Sequence, residues 1–231
     1  MSWILNIDTS LESAFVILSK DGKIINSRTN ETQKDHAAFL EPAIQSIIQE
    51  AGINFTDLSA IAVVHGPGSY TGLRVGMASA KGLCFALNKP LILLSNLELL
   101  TIAAINENKE KDITSILYCP MIDARRMEVY TAMYDENLHM VMQPQALILE
   151  EKVFERYLTN HAIIFFGNGS KKWENLCSYK NARFIQISDK AAAINQCSFQ
   201  MIVKQLFTPI TYAEPFYIKE FFTTNTISKA Q

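Results

Sequence analysis

The chain has 231 residues, of which 48% are apolar and 19% charged, and its net charge is −2. That length and apolar content fit one large or two small globular domains and exclude an intrinsically disordered chain. The near-neutral balance argues against a protein that lives mainly on nucleic-acid phosphates, where a basic stripe would supply the affinity.

In chain order, Trp3 to Asp8 predicts a buried strand, and the polar TSLES turn leads into a second run, Ala14 to Ser19. Asp21-Gly22 is a two-residue hairpin signal, because both residues tolerate positive φ. Lys23 to Thr29 then completes an antiparallel meander. A helix follows, with Asp35 as N-cap and Gly52 as its stop. Ala37, Leu40, Ile44, Ile47, Ile48 and Ala51 share its apolar face, and Pro42 inside it predicts a kink. Ala60 to Val64 is a strand, Thr71 to Leu87 a helix ended by Asn88 and Pro90, and Leu91 to Leu94 a strand. Ser95 or Asn96 caps a further helix to about Ile105. This βββαβαβα order is that of one ribonuclease-H-like lobe, an α/β layout with helices on a mixed sheet.

The polar NENKEKD, Asn106 to Asp112, reads as the linker. It divides residues 1–106, the N-terminal lobe, from 107–231, a smaller, degenerate second lobe. A last helix near 208–220 is counted with the first lobe if it packs back. The second half predicts strands Ile113–Ile122 and Met127–Tyr134 around Asp123-Ala124-Arg125-Arg126, and a helix Glu150–Leu158. A strand Ile163–Phe166, a turn at Gly167-Asn168-Gly169 and a long helix Ala191–Phe207 complete it. It repeats the opening weakly and finishes early. No apolar run approaches the ~20 residues of a membrane helix. No signal-like segment precedes WILNID, and the four cysteines form no CxxC pair; these features predict a cytoplasmic protein with reduced thiols.

The stretch VVHGPGSYTGLRVGMASAKG, Val63 to Gly82, carries the strongest motif question. A phosphate-binding P-loop needs Gly-Lys-Ser/Thr after four intervening residues, and no lysine is in place. The dinucleotide fingerprint needs glycine at the sixth position, where Thr71 stands. What remains is a tight turn and a helix N-terminus capped by Ser69 or Thr71. Gly66, Gly68, Ser69, Thr71 and Gly72 there either only turn the chain or also touch an anion or ligand. Gly72, Gly76, Ala80 and Cys84 then stack four apart. Such a small-residue stripe admits another backbone closely, either from this chain or from a partner. Phe39 lies off the core stripe of the preceding helix, as do Ala43 and Ser46, beside the Pro42 kink.

The histidines, His36, His65, His139 and His161, never pair at helical spacing, so no metal site is predicted. His36 reads as a first-turn surface residue. Ser69 lacks a nucleophile elbow, and no catalytic residue is assigned. Asp8 and Asp123, each ending a strand, are the best carboxylate candidates for a phosphate-bound metal. The glycines such a site needs are absent from DTSLE and DARRME, which favours structural roles.

The segments ILNIDTS, HAAFLEPAI, GPGSYTGLRVGMASAKGL, SNLELL, DARRMEVY and AEPFYIKE occur in this order. Together they resemble the TsaB (YeaZ) family, the non-catalytic branch of the bacterial glycoprotease-like proteins, from about Ile4 to about Lys219. The resemblance implies an actin-like, ribonuclease-H-like two-lobed ATPase-type fold with a reduced second lobe, and no cofactor. It implies a scaffold or activator subunit for threonylcarbamoylation of adenosine 37 in tRNAs that read codons beginning with A. The expected partner is a TsaD-like catalytic paralogue, with a TsaE-like ATPase joining, a homodimer in isolation, tRNA contact only through the complex and no membrane. Family members pair through the two N-terminal-lobe helices, which here implies a surface of Phe39, Pro42, Ala43, Ser46, Arg74, Met77, Ala78 and Lys81. The competing expectation is an active ATPase or sugar-kinase-like phosphotransferase of the same fold. A protease would need a nucleophile pair or metal that the sequence does not offer.

Overall fold

The computed structural model describes residues 1–32, 35–108 and 116–219. The opening meander consists of β1 (Trp3–Asp8), β2 (Ala14–Lys20) and β3 (Lys23–Asn30). Asp21 and Gly22 turn it at φ of 48° and 78°, the pair of left-handed conformations that matches the twist of a hairpin. There follow α1 (His36–Glu50), β4 (Leu58–Gly66), α2 (Tyr70–Leu87), β5 (Leu91–Ser95) and α3 (Asn96–Glu107). The sheet order is β3-β2-β1-β4-β5, with β1 antiparallel to β2 and parallel to β4. Of the two capping residues the sequence offered for α2, Ser69 performs the role, accepting from the amide of Gly72; Asn88 ends the helix in the left-handed region. Ser95 likewise caps α3. α1 runs through Pro42 without interruption.

The second sheet contains β6 (Ile116–Asp123), β7 (Glu128–Tyr134), β8 (Met140–Ile148), β9 (Ala162–Phe166) and β10 (Ala182–Phe184). Its order, β8-β7-β6-β9-β10 read from one edge, repeats that of the first sheet, including the antiparallel meander and the parallel β6–β9 pair. This corrects the expectation of a weak repeat that finishes early. The sheet is complete, and what has shrunk is the helices. α4 (Glu155–Leu158) and α5 (Ser170–Glu174) have 4 and 5 residues, where α1 and α2 have 15 and 18. The sequence hid β8 because Pro144 interrupts its pattern. Proline is tolerated there because β8 is an edge strand.

α6 (Lys190–Val203) returns to the first sheet, burying Ala193, Ile194 and Cys197 against Ile4, Ile17, Ala60 and Ile92. It stops short of the expected Phe207, and Gln205 adopts a φ of 54° just past its end. The helix expected near 208–220 is not formed in the described part of that range. Pro209 and Pro215 remove backbone donors, and only a 3₁₀ turn at Ile210–Tyr212 interrupts an extended course. That segment does pack back on the first lobe, where Ala213 joins the core beside α2.

α3 joins the two lobes. Leu99, Ile102 and Ala103 face the first sheet, whereas Leu97, Leu100 and Ala104 pack with Ile116, Tyr118, Tyr134 and Phe166 of the second. A helix buried on two sides is apolar nearly all round, so its sequence shows little amphipathic period. A polar tie lies beside it: Asn168 accepts from the Asp123 amide and donates to Glu12 at 3.0 Å, linking the lobes.

Candidate partner interface

α1 and α2 lie side by side over β1, β2 and β4, and their inward side chains form one cluster with that sheet. On the outer seam Ser79 Oγ donates to Glu41 Oε1 at 2.6 Å. The structure sorts the eight expected surface residues into three groups. Pro42, Arg74 and Ala78 are exposed. Phe39, Ser46 and Lys81 are half-buried: Phe39 packs on the core, Ser46 donates to Glu50, and Lys81 donates to the carbonyl of Ala213 at 2.9 Å. Ala43 and Met77 are buried, which corrects their placement. Ala43 shares the inward face of Leu40, Ile44 and Ile47, and Met77 that of Leu73, Ala80 and Cys84.

The sequence reading missed Phe85, which is 82% exposed. Helical spacing held the signal: Arg74, Ala78, Lys81 and Phe85 recur at 4, 3 and 4 residues and define one stripe. Gly82 and Ala86 flank it, both exposed, so the outer face of α2 is small and flat with one aromatic side chain standing on it.

The small-residue stripe, by contrast, is used inside the chain. A Cβ on Gly72 would stand 1.9 Å from the Thr9 carbonyl oxygen, and one on Gly76 2.5 Å from Thr9 Oγ1. Thr9 Oγ1 itself donates to the Gly72 carbonyl at 2.6 Å. The glycine loop is engaged in the same way. Gly68 abuts the Ser10 carbonyl, the Ser69 amide donates to that oxygen at 2.7 Å, and Asn96 Nδ2 donates to the Pro67 carbonyl at 2.9 Å. Gly66, at a φ of 129°, approaches the Phe216 carbonyl. Thr71 and the first turn of α2 border a cleft of about 670 Å³ between the lobes, lined also by Asp123, Arg125 and Tyr130.

Both candidate carboxylates are held by lysines. Asp8 is fully buried, and its Oδ2 lies 2.6 Å from Lys190 Nζ, while Oδ1 accepts from the Ser10 amide and hydroxyl. Asp123 Oδ1 accepts from Lys172 and from the Arg125 amide. His36 is not the surface residue expected. It is buried, and its Nε2 meets the Leu11 carbonyl at 2.9 Å. His65, half-buried against Phe216, has its pKa lowered by desolvation. Burial pushes the thiols of Cys84 and Cys119 up to about 12 and that of Cys197 to about 11, which makes them poor nucleophiles. Among the described residues no three His, Cys, Asp or Glu side chains converge to hold a metal, and no helix is long and apolar enough to cross a membrane.

Two five-stranded sheets of identical order, joined through a buried helix, define a two-lobed protein of the actin-like, ribonuclease-H-like class. A crystal structure from Pseudomonas aeruginosa, of a protein with similarity to the peptidase YEAZ, superposes with a TM-score of 0.79 at 24% identity. It covers 95% of this chain and 100% of that one. The family model for TsaD, tRNA N6-adenosine threonylcarbamoyltransferase, matches residues 23–217. The tRNA threonylcarbamoyladenosine biosynthesis protein TsaB of Escherichia coli K12 is 30% identical over 223 residues, 94% of each chain. That of Bacillus subtilis 168 is 32% identical over 168 residues, 71% of this chain and 70% of the relative. The chain belongs to this family, in its TsaB branch.

Proposed function

We propose that this chain is a non-catalytic scaffold and activator subunit in the threonylcarbamoylation of tRNA adenosine 37, acting in the cytoplasm. It pairs with a TsaD-like threonylcarbamoyltransferase through the outer faces of α1 and α2. A TsaE-like ATPase joins the pair, tRNA is met only within the complex, and the isolated chain forms a homodimer through the same face. The observation that carries this reading is the α2 stripe of Arg74, Ala78 and Phe85, solvent-facing on a helix whose other sides are packed. A flat seam of small residues around one exposed aromatic has the make-up of an interface centre. The TsaB relatives above support the pathway. The lysine partners of Asp8 and Asp123 support an accessory role, because both strand-end carboxylates already have cations of this chain beside them.

Ala78→Arg tests the reading. A bulky charge at the centre of the seam, on a position already in solvent, abolishes co-purification with the TsaD-like partner while thermal stability stays within about 0.5 kcal/mol of wild type. A complex of unchanged affinity would refute the placement.

A further inference from the structure

The segment AEPFYIK, Ala213 to Lys219, is among the stretches that carry the family resemblance, yet the partner reading leaves it without a task. It forms neither helix nor sheet. Ala213 is buried in the first-lobe core beside α2, and its carbonyl accepts from Lys81. The Phe216 amide donates to the His65 carbonyl at 2.7 Å, which lays the strap along the end of β4. The ring of Tyr217 packs on Tyr70 at 5.1 Å between centroids, and its hydroxyl accepts from Arg74 Nε at 3.2 Å. The Arg74 guanidinium in turn lies 3.9 Å over the Tyr70 ring. Ile218 then packs into the cluster of Ile122, Ala132 and Phe166, and Lys219 ion-pairs with Glu128 at the start of β7.

Seven residues thus run from the outer face of α2 to the second sheet along one wall of the cleft. The α2 anchors, Arg74 and Lys81, flank Ala78 on the exposed stripe. The far anchor sits at the base of an unusual turn. Arg125 and Arg126 hold φ of 69° and 47°, conformations that non-glycine residues occupy only when their surroundings impose them. Glu128 closes that turn, its amide donating to the Arg125 carbonyl and its carbonyl accepting from Ala124.

We propose that residues 213–219 are a latch that transmits the occupancy of the outer face of α2 to the β6–β7 turn of the second lobe. A body seated on α2 draws Arg74 and Lys81 away from Tyr217 and the Ala213 carbonyl. The released strap loosens its hold on Glu128, and the turn from Asp123 to Glu128 relaxes. The docking half of this mechanism rests on the proposed partner face; the mechanical half does not.

Hydrogen exchange on the full chain tests the two halves separately. Tyr217→Ala removes the Arg74 and Tyr70 contacts of the α2 end, and amides 124–130 then exchange about tenfold faster while those of β1, β4 and β5 keep their wild-type rates. Lys219→Ala removes the ion pair of the other end at an exposed side chain, and the Phe216 amide then exchanges faster. Unchanged exchange at 124–130 in the first variant, or at Phe216 in the second, overturns the latch. In the second arm the wild-type chain, diluted until it is monomeric, is mixed with the TsaD-like threonylcarbamoyltransferase, and docking raises exchange at 124–130. Docking that leaves those amides unaltered overturns the coupling. Failure to dock refutes the partner face alone, and the two variants of the first arm then decide for or against the latch.

Discussion

Replacing Lys190 by methionine removes the only cation that meets Asp8 Oδ2 in the described structure, and the consequence follows from the burial of both groups. Asp8 is fully buried and the Lys190 side chain is 10% exposed, so water cannot take the place of the missing ammonium. The two Ser10 donors satisfy Oδ1 and leave Oδ2 bare. Breaking one side of a buried ion pair costs about 3–5 kcal/mol, because the uncompensated charge remains. For a chain of this size each kcal/mol lowers the melting temperature by about 2–4 °C, so thermal denaturation should move down by roughly 10 °C. Asp8→Asn combined with Lys190→Met removes both charges, and most of the lost stability returns, since a well-packed neutral replacement of a buried pair is near neutral. The assay is a double-mutant cycle by calorimetry. A shift under about 2 °C for Lys190→Met, with no coupling between the two sites, would show that Lys190 is not what neutralises Asp8. The reading of this strand end as internally occupied would then be lost.

Phe85→Ala deletes a ring that is 82% exposed, so the melting temperature of the isolated chain stays put while affinity for the TsaD-like partner falls about 30-fold or more in a titration. Equal affinity would move the interface elsewhere. The glycines of α2 should respond in opposite senses. Gly72→Ala drives a Cβ into the Thr9 carbonyl and destabilises the first lobe by several kcal/mol, whereas Gly82→Ala meets no atom within 4 Å and stabilises the helix by about 0.5–1 kcal/mol in chemical denaturation. The pH dependence follows from His65, whose folded pKa lies below the ordinary 6.5 because burial disfavours the charged ring. The unfolded chain takes up a proton first on acidification. Stability from this group is therefore full above pH 6.5 and declines as the pH falls through the lower folded value. His65→Gln flattens that part of a stability–pH profile; an unchanged slope would show that the ring is not desolvated.

The legibility of this fold divides along physical lines. The first lobe is readable because its elements carry local signals: Asp21-Gly22 for the hairpin, Ser95 for the start of α3, Asn88 for the end of α2. The second lobe is harder because its helices are too short to show a period and Pro144 breaks the alternation of an edge strand. At the interface, helical spacing is sufficient to find the stripe but not to orient it. Met77 and Ala43 go under rather than outward because they share the spacing of Leu73, Ala80 and Cys84 in α2 and of Leu40, Ile44 and Ile47 in α1, and which face meets the sheet is a tertiary property. The glycine stripe is ambiguous for a related reason. Its function as a bed for Thr9 and Ser10 depends on a loop sixty residues upstream. The hold of the C-terminal strap on Arg74 and Lys81 spans more than a hundred residues and leaves no local trace.

The shortness of the second lobe's helices bears on where the proposed partner face lies. Both sheets have the same five-strand order, so the lobes differ in their helices rather than in their strands. Only the first lobe retains two long helices side by side, and only there can a helix pair offer a continuous seam to another pair. The short α4 and α5 cannot supply one. Meanwhile α6 packs on the first sheet and carries Lys190 to the buried end of β1. That helix places an internal cation beside Asp8, while the outer face of α2 keeps Ala78 and Phe85 in solvent and uses Arg74 and Lys81 to hold the C-terminal strap. Short lobe-two helices, a lysine beside the strand-end carboxylate and an exposed Phe85 are thus mutually consistent with the proposed partner-contact role.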